Sequence, residues 1–283
     1  EYRELTVQRA IHELERYLIG KDPRDIALHY HNIYRDSYWR SGPVLMSALS
    51  AIDMCLWDIN AKALDVPLYR MLGGKVRDRV KIYVNGWFAG ARKPEEFARQ
   101  AKVAVQRGVK ALKWDPFGKA YMNISPAELD HALACIDAVR TAVGDSVDLL
   151  IEGHGRFNKV TAVKIAKELE QFKPVWFEEP IPPDSIGDLA DVKRQSPVPI
   201  AAGERLYNTR AFRELLNCKA VDFVQPDVSH AGGVTGCREI AALADCYYIP
   251  FAPHNPSGPI ANAVTLQLAA SIPNFFILEI MDT

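Results

Sequence analysis

The sequence predicts an α/β fold: a (β/α)8-type barrel preceded by a helical region. Two observations predict it. Eight short β-rich segments, each followed by a helical stretch, start at residues 81, 111, 148, 175, 200, 223, 248 and 276. Their starts are therefore 23 to 37 residues apart, which suits parallel βαβ units. A doubly wound open sheet is the structural alternative, but it usually has fewer strands.

Residues 1–74 have a different texture. Apolar residues recur at helical spacing over Thr6–Leu18 and Ser47–Leu64, and Gly73-Gly74 ends the second run. Farther on, Ser125-Pro126-Ala127-Glu128 has the cap residue, proline and glutamate of a helix start. We therefore expect two domains: a helical region over 1–74 and a barrel over 75–283.

Charge and composition exclude several classes of protein. The 283 residues include 34 Lys+Arg and 35 Asp+Glu, a net charge of -1. That balance argues against nucleic acid as a partner but permits a small anionic ligand. No apolar run approaches the ~20 residues of a membrane span, so no membrane partner is expected. The five cysteines include no C-x-x-C pair, which favours a reducing cytoplasmic location. The first residues lack both an initiator Met and a signal peptide, so we expect the true beginning to be missing.

Three carboxylates follow successive strands of the predicted barrel. Glu152, Glu178 and Glu204 lie 26 residues apart and end the third, fourth and fifth segments. Because parallel strands end at one face, the three should lie close together and repel one another unless a cation separates them. An all-oxygen set suits Mg2+ rather than zinc. The alternative is that each glutamate pairs with a nearby Lys or Arg.

Two histidines also lie at the ends of predicted strands. His254 and Asp227 follow neighbouring strands, and a carboxylate behind an imidazole suits a general base. His154 lies two residues after Glu152, on the same side of the strand, where it could bind metal or transfer a proton. We favour proton transfer. The alternative for His254 is a hydrogen-bonded structural histidine.

Four further residues are candidates for substrate contact. Lys113 and Asp115 end the second segment, and Arg156 follows the third. Lys113 and Arg156 could hold anionic or hydroxyl groups of a substrate, or they could pair with carboxylates. Trp87 ends the first segment and could either wall the pocket or close the barrel.

These motifs together resemble the enolase superfamily, in the mandelate racemase-like group, and within it the sugar-acid dehydratases of the galactonate and gluconate type. The resemblance covers about residues 40–283. The matching stretches are Glu152-Gly153-His154-Gly155-Arg156, Trp176-Phe177-Glu178-Glu179-Pro180, Ala202-Gly203-Glu204-Arg205-Leu206, Gln225-Pro226-Asp227-Val228-Ser229-His230-Ala231-Gly232-Gly233, Ala252-Pro253-His254-Asn255-Pro256 and Leu278-Glu279.

The resemblance implies a TIM-like, modified (β/α)7β barrel with a partial helical cap, and a Mg2+-dependent lyase. Glu152, Glu178 and Glu204 would hold the metal. His254, oriented by Asp227, would take the proton next to the substrate carboxylate. Protonated Glu279 would donate a hydrogen bond to the enediolate, and His154 would protonate the departing 3-hydroxyl. The product would be a 2-keto-3-deoxy acid, and an even-numbered homo-oligomer is expected.

The sequence departs from the family pattern in three places. Glu152 stands where family members more often have Asp. The second segment reads Lys113-Trp114-Asp115 and lacks the Lys-x-Lys pair of racemases and cycloisomerases. The sheet of the capping domain and the tail after the last strand are absent, so the identity of the sugar acid cannot be read.

Other functions stay open beside the dehydratase. A racemase, epimerase or cycloisomerase would use the same enediolate, with His154 and His254 as two bases in the racemase or epimerase. A non-catalytic metal-binding barrel is a second alternative. A metal-dependent hydrolase is a third, although such enzymes tend to have His-rich metal shells.

Overall fold

The computed structural model describes residues 3–36 and 38–282. These residues form two compact units. The first, which we call the helical unit, comprises the described residues of Glu1–Val80, Gly203–Arg213 and Gln225–Leu278. The second, the sheet unit, comprises those of Lys81–Ala202, Glu214–Val224 and Glu279–Thr283.

The chain begins with helices, as its apolar periodicity predicts. They are α1 (Glu4–Glu13), α2 (Glu15–Leu18), α3 (Ile26–Asp36), α4 (Pro43–Ala63) and α5 (Leu68–Met71). The predicted helix over Thr6–Leu18 is interrupted at Leu14, which separates α1 from α2. Proline at the first position of α4 is well tolerated, because the amide that it lacks would have no partner inside the helix.

Helix α4 is the core helix of the helical unit. It packs against α1 and α3. An 18-residue window in it has a mean hydropathy of 1.3, enough by length and composition for a membrane span, but half of that window is buried inside the protein. Its apolar character is therefore explained by packing.

One parallel sheet supports the sheet unit. Its strands are β1 (Ile82–Asn85), β2 (Ala111–Trp114), β3 (Asp148–Glu152), β4 (Trp176–Glu178), β5 (Ile200–Ala202), β6 (Phe223–Val224) and β7 (Leu278–Met281). Their order is β6-β5-β4-β3-β2-β1-β7, and each consecutive pair from β1 to β6 is parallel. Because parallel strands share one direction, β1 to β6 bring their carboxyl ends to the same edge.

Helices alternate with the strands. They are α6 (Pro94–Gln106), α7 (Pro126–Val143), α8 (Lys159–Leu169), α9 (Ile186–Gln195), α10 (Thr209–Asn217), α11 (Gly233–Asp245) and α12 (Pro259–Ser271). The predicted start at Ser125 is confirmed: its hydroxyl accepts from the Glu128 amide, and the Glu128 carboxylate accepts from the Ser125 amide. The α/β alternation and parallel sheet of the predicted fold are thus confirmed.

The predicted seventh strand is wrong. Among the described residues, 248–254 form one isolated bridge, from Phe251 to Phe275, and no ladder strand. Pro250 and Pro253 explain the difference, because proline has no amide hydrogen for a ladder and is rare inside sheets. The segment reaches His254 in irregular backbone.

Candidate functional site

The carboxyl ends of β3 and β4 carry two of the predicted metal-binding glutamates. Glu152 and Glu178 are the last residues of their strands and lie opposite each other in the parallel register. Both are buried, at 1% and 0% exposure. Because Trp176 precedes Glu178 by two residues, both side chains lie on the same face of β4, and the Trp176 indole donates to Glu178 Oε2 at 2.9 Å. The register therefore holds two carboxylates side by side without exposing them to water.

Lys113 lies among these carboxylates. Its ammonium is 3.0 Å from Glu152 Oε2 and 3.4 Å from Glu279 Oε1, and it also pairs with Glu178 Oε1. Burial opposes the charge of Lys113, but the charges of Glu178, Glu279 and Glu152 outweigh it and raise the pKa of the amine well above its usual value. Of the two roles open for Lys113, the structure shows carboxylate pairing.

One ammonium cannot balance three buried carboxylates. Burial, followed by the charge of Glu152, raises the pKa of Glu178 even though Lys113 acts in the opposite direction. Glu152 Oε2 is buried, and the Lys113 ammonium lies 3.0 Å from it. The excess of negative charge over this one ammonium fits a hard divalent cation.

Asn85 is a member of this group that the sequence analysis missed. Its side-chain amide donates to Glu279 Oε1 at 3.0 Å, and Glu279 is completely buried. The available signal was its position, because Asn85 ends β1 as the other polar residues end their strands.

His154 is held by Asp115. The imidazole Nδ1 lies 2.6 Å from Asp115 Oδ2. Burial disfavours the imidazolium, but the Asp115 hydrogen bond and the charges of Glu152 and Asp115 prevail and raise the pKa of His154 to about 9. Arg156 Nη2 also donates to both Asp115 oxygens, at 2.8 and 2.6 Å. Asp115, predicted to contact substrate, thus pairs with both His154 and Arg156, and Arg156 takes the carboxylate-pairing role of its two predicted alternatives.

The turn after β3 explains the Glu-Gly-His-Gly sequence. A Cβ at Gly153 would lie 2.9 Å from the Glu179 carbonyl, so no larger residue fits. The next residue, His154, has a φ of 49°, a left-handed conformation that costs energy for a side-chain-bearing residue. Its amide donates to Glu152 Oε1 at 2.6 Å. The tight turn thus joins His154 to the end of the strand.

Trp87 packs inside the sheet unit. Its indole donates to the Lys113 carbonyl at 2.9 Å, and its ring lies 5.3 Å from that of Trp114, centre to centre. Only 4% of it is exposed. Of the two alternatives for Trp87, the placement favours packing over a pocket wall.

The second candidate catalytic histidine, His254, lies in the helical unit. His254 Nδ1 lies 2.8 Å from Asp227 Oδ2, and its Nε2 lies 3.3 Å from Glu204 Oε2. Asp227 is 1% exposed, and its other oxygen accepts from the Ser229 amide at 2.7 Å. Burial opposes ionisation of Asp227, but the hydrogen bond and charge of His254 outweigh it and lower its pKa. The predicted His254–Asp227 pair is therefore present.

Two family models match the chain. One, described as mandelate racemase / muconate lactonizing enzyme, N-terminal domain, matches residues 2–73. The other, described as enolase C-terminal domain-like, matches residues 96–283. Together they cover the sequence motifs and strands β2 to β7, whereas β1 lies between the two matches.

Similar proteins have been named for sugar-acid dehydration. The chain is 44% identical over 278 residues to a D-gluconate dehydratase of Thermoproteus tenax, covering 98% of this chain and 56% of that protein. It is 39% identical over 268 residues to a D-galactonate dehydratase of Variovorax paradoxus, covering 95% of this chain and 69% of that protein. The chain thus spans between about half and two thirds of the length of these relatives.

Solved structures share the fold. An enolase from Agrobacterium radiobacter, solved with bound Na and L-malate, superimposes with a TM-score of 0.91 at 33% identity. The match covers 98% of this chain and 70% of that one. This similarity confirms the predicted barrel class.

Proposed function

Because this chain belongs to the mandelate racemase/muconate lactonizing enzyme family of the enolase superfamily, we propose that it dehydrates a sugar acid. The substrate class is an aldonate, and the product a 2-keto-3-deoxy acid. The observation that carries the proposal is a pair of histidines, each held at Nδ1 by an aspartate. The named activities of the relatives from Thermoproteus and Variovorax support the substrate class.

Glu152, Glu178 and Glu204 would hold Mg2+. The burial of Glu152 and Glu178 and the excess negative charge around Lys113 support the first two. Glu204 follows β5 by two residues, and β5 is the neighbour of β4 in the sheet. When bound, Mg2+ supplies positive charge to the substrate carboxylate, which makes the neighbouring C–H more acidic.

His254 would remove the proton from C2. Since Asp227 holds Nδ1, Nε2 is the nitrogen that can accept a proton in the neutral imidazole. Once protonated, the ring would lie between Asp227 and Glu204, whose negative charges stabilise an imidazolium. This pairing suits a base whose charge appears during the reaction.

His154 would protonate the departing 3-hydroxyl, which leaves as water. Asp115 keeps the imidazole oriented, and Arg156 in turn fixes Asp115 through both carboxylate oxygens. The proton lost from C2 and the hydroxyl lost from C3 leave an enol, which becomes the keto acid. Glu279 as a hydrogen-bond donor, a cytoplasmic location and a homo-oligomeric state stay predictions.

The test is turnover of an aldonate panel. Purified protein is incubated with Mg2+ and each acid in D2O, and keto acid is detected with semicarbazide. We expect a keto product from at least one aldonate. Deuterated acid without a keto product would replace dehydration with racemisation or epimerisation, which the two histidines could also perform. Mg2+ binding without exchange or product would indicate a non-catalytic barrel.

A further inference from the structure

The segment between Asp227 and α11 has no part in the proposed chemistry. It contains Ser229, His230 and the pair Gly232-Gly233. A glycine pair before a helix is a weak signal for a phosphate loop, and a tight turn is its other explanation. The contacts between this segment and α4, both in the helical unit, distinguish the phosphate loop from the tight turn and indicate a further role.

Four polar side chains on one face of α4 contact this segment. They are spaced three, three and four residues apart, which places them on one side of a helix: Ser47, Ser50, Asp53 and Trp57. Three of the four are buried: Ser47, Ser50 and Asp53 are 9%, 0% and 2% exposed. The Ser47 and Ser50 hydroxyls donate to the Pro43 and Met46 carbonyls of α4 itself, so each oxygen can still accept a hydrogen bond from the element against which the helix packs.

The partners follow one another along the segment. Ser47 Oγ lies 2.7 Å from His230 Nδ1, and the Gly232 amide donates to Ser50 Oγ at 2.9 Å.

Asp53 continues this row at the start of α11. One of its oxygens accepts from the Thr235 amide at 3.0 Å, and the other accepts from the Thr235 hydroxyl at 2.6 Å. The Trp57 indole donates to the same hydroxyl oxygen at 2.9 Å. The row therefore binds the segment at three successive points.

The glycines permit this close approach. A Cβ at Gly233 would lie 2.5 Å from Asp53 Oδ2, and one at Gly232 would lie 2.4 Å from the Tyr30 hydroxyl oxygen. Asp53 also accepts a hydrogen bond from the Val234 amide, so a carboxylate of the protein itself caps the start of α11. An external phosphate would meet that negative charge, which excludes the phosphate-loop reading.

The same segment fixes Asp227. The amides of His230 and Ala231 donate to the Asp227 carbonyl at 3.0 and 2.7 Å. The Ser229 amide donates to its side chain at 2.7 Å. Displacement of residues 230–235 would therefore move Asp227, and with it the partner of His254 Nδ1.

We propose that Ser50 and Asp53 of α4 are positioning residues: they hold the segment after Asp227 so that Asp227 keeps the His254 imidazole in one orientation. The catalytic meaning of this orientation rests on the proposed function, because it requires His254 to be the base. The positioning role itself concerns only the hydrogen bond between His254 and Asp227.

The test compares Ser50→Ala and Asp53→Asn with two matched controls. Asp58→Asn changes an exposed aspartate of the same helix that pairs with Lys62. Ser271→Ala changes a buried helical serine whose hydroxyl bonds to carbonyls of its own helix. The hydrogen bond is observed as the His254 Nδ1 proton in protein labelled with 15N-histidine, at fixed pH with Mg2+. His254→Asn assigns the signal.

We expect the Nδ1 proton signal to shift or broaden in both test variants and in neither control. For an aldonate that the wild type dehydrates, kcat should fall ~10- to 100-fold with KM changed less than ~3-fold, because a misplaced base slows chemistry more than binding. Thermal unfolding is measured alongside. A lower melting temperature with an unchanged signal and kcat would reduce Ser50 and Asp53 to structural residues and overturn the proposal.

The spectroscopic result separates this inference from the proposed function. If no acid is turned over but the Nδ1 signal responds to Ser50→Ala and Asp53→Asn, the positioning role stands and the dehydratase proposal fails. If the wild type is active and the signal is the same in all variants, the positioning role fails and the dehydratase proposal stands.

Discussion

The two histidine–aspartate pairs look alike and are built differently. Both join Nδ1 to a carboxylate oxygen, at 2.8 Å for His254–Asp227 and 2.6 Å for His154–Asp115. In the helical unit the His254 side chain is 12% exposed and its aspartate 1%. In the sheet unit the His154 side chain is 53% exposed and its aspartate 16%.

The partners of the two aspartates differ as well. Asp227 accepts from the Ser229 amide, whereas Asp115 accepts twice from the Arg156 guanidinium. The same two side chains can therefore serve opposite tasks, because the surroundings decide which protonation state is useful. A buried imidazole between two carboxylates suits a base, and a more exposed imidazole with a raised pKa suits an acid.

Removal of the base should have the largest effect. His254→Asn is expected to lower kcat for dehydration by ~10³- to 10⁴-fold, the upper range of general base catalysis. It should equally abolish exchange of the C2 proton in D2O, measured by NMR. His12→Asn, a histidine on the exposed side of α1, is the control. Wild-type exchange in His254→Asn would show that another group removes the proton.

Disturbance of the acid should separate the two steps. Asp115→Asn leaves His154 without its charged partner, and kcat for dehydration should fall ~10²-fold. C2 proton exchange should continue, because His254 is untouched. Arg156→Gln, which removes the guanidinium from Asp115 but leaves the carboxylate in place, should have a smaller effect on the same two rates. If Asp115→Asn stopped exchange and dehydration together, the division of labour between the two pairs would be wrong.

The two pairs also differ in how far the sequence predicts them. His254 and Asp227 were paired from their positions after neighbouring strands. Asp115 follows β2 by one residue and His154 follows β3 by two, and these strands are paired with Trp114 opposite Ile151. The same reasoning therefore applies to them. The sequence analysis instead assigns Asp115 to substrate contact, because the sequence does not show that the Arg156 guanidinium and the His154 imidazole both bind its carboxylate.

The sequence predicts where the backbone lies at each strand end, but it does not predict where the tip of a long, flexible side chain lies. The spacing of 26 residues placed Glu152 and Glu178 on adjacent strands, because register fixes their backbones. Lys113 reaches three carboxylates through a flexible four-carbon stem, and its final position depends on packing. The missing strand over 248–254 is a different case, because Pro250 and Pro253 lack the amide hydrogens that a ladder needs.

Loss of a proposed metal ligand tests the charges beside one of the two histidines. The amide of His154 donates to Glu152, which lies opposite Glu178 on the neighbouring strand. Glu178→Gln removes one charge from the buried group. We expect Mg2+ affinity, measured by calorimetry, to fall at least ~100-fold, the upper range for disturbed metal sites. Glu168→Gln, on the exposed side of α8, should leave affinity unchanged. Unaltered binding in Glu178→Gln would remove Glu178 from the ligand set.

A third buried aspartate tests what an imidazole partner contributes. Asp53 is as buried as Asp227 but accepts hydrogen bonds from uncharged groups of Val234 and Thr235. Burial raises its pKa to about 6, whereas His254 keeps that of Asp227 below its usual value. The folded protein thus binds the Asp53 proton more tightly than the unfolded chain does, and this contribution to stability is lost as pH rises from 3.8 through 6.

Wild-type protein should therefore lose about 2 kcal/mol of unfolding free energy between pH ~4.5 and ~7, relative to Asp53→Asn, by proton linkage. Urea unfolding at both pH values measures this difference. Tyr30, Cys237 and Glu239 also face this region and are present in both proteins. Burial raises the pKa of Tyr30 and of Cys237 above their usual values, so neither group ionises between these two pH values. Asp58→Asn, exposed on the same helix, should follow the wild type. If the unfolding free energy of Asp53→Asn changed with pH in parallel with that of the wild type, the pKa of Asp53 would be unchanged by folding. Burial would then not raise the pKa of an aspartate here, and it would not explain why Asp227 requires an imidazole partner.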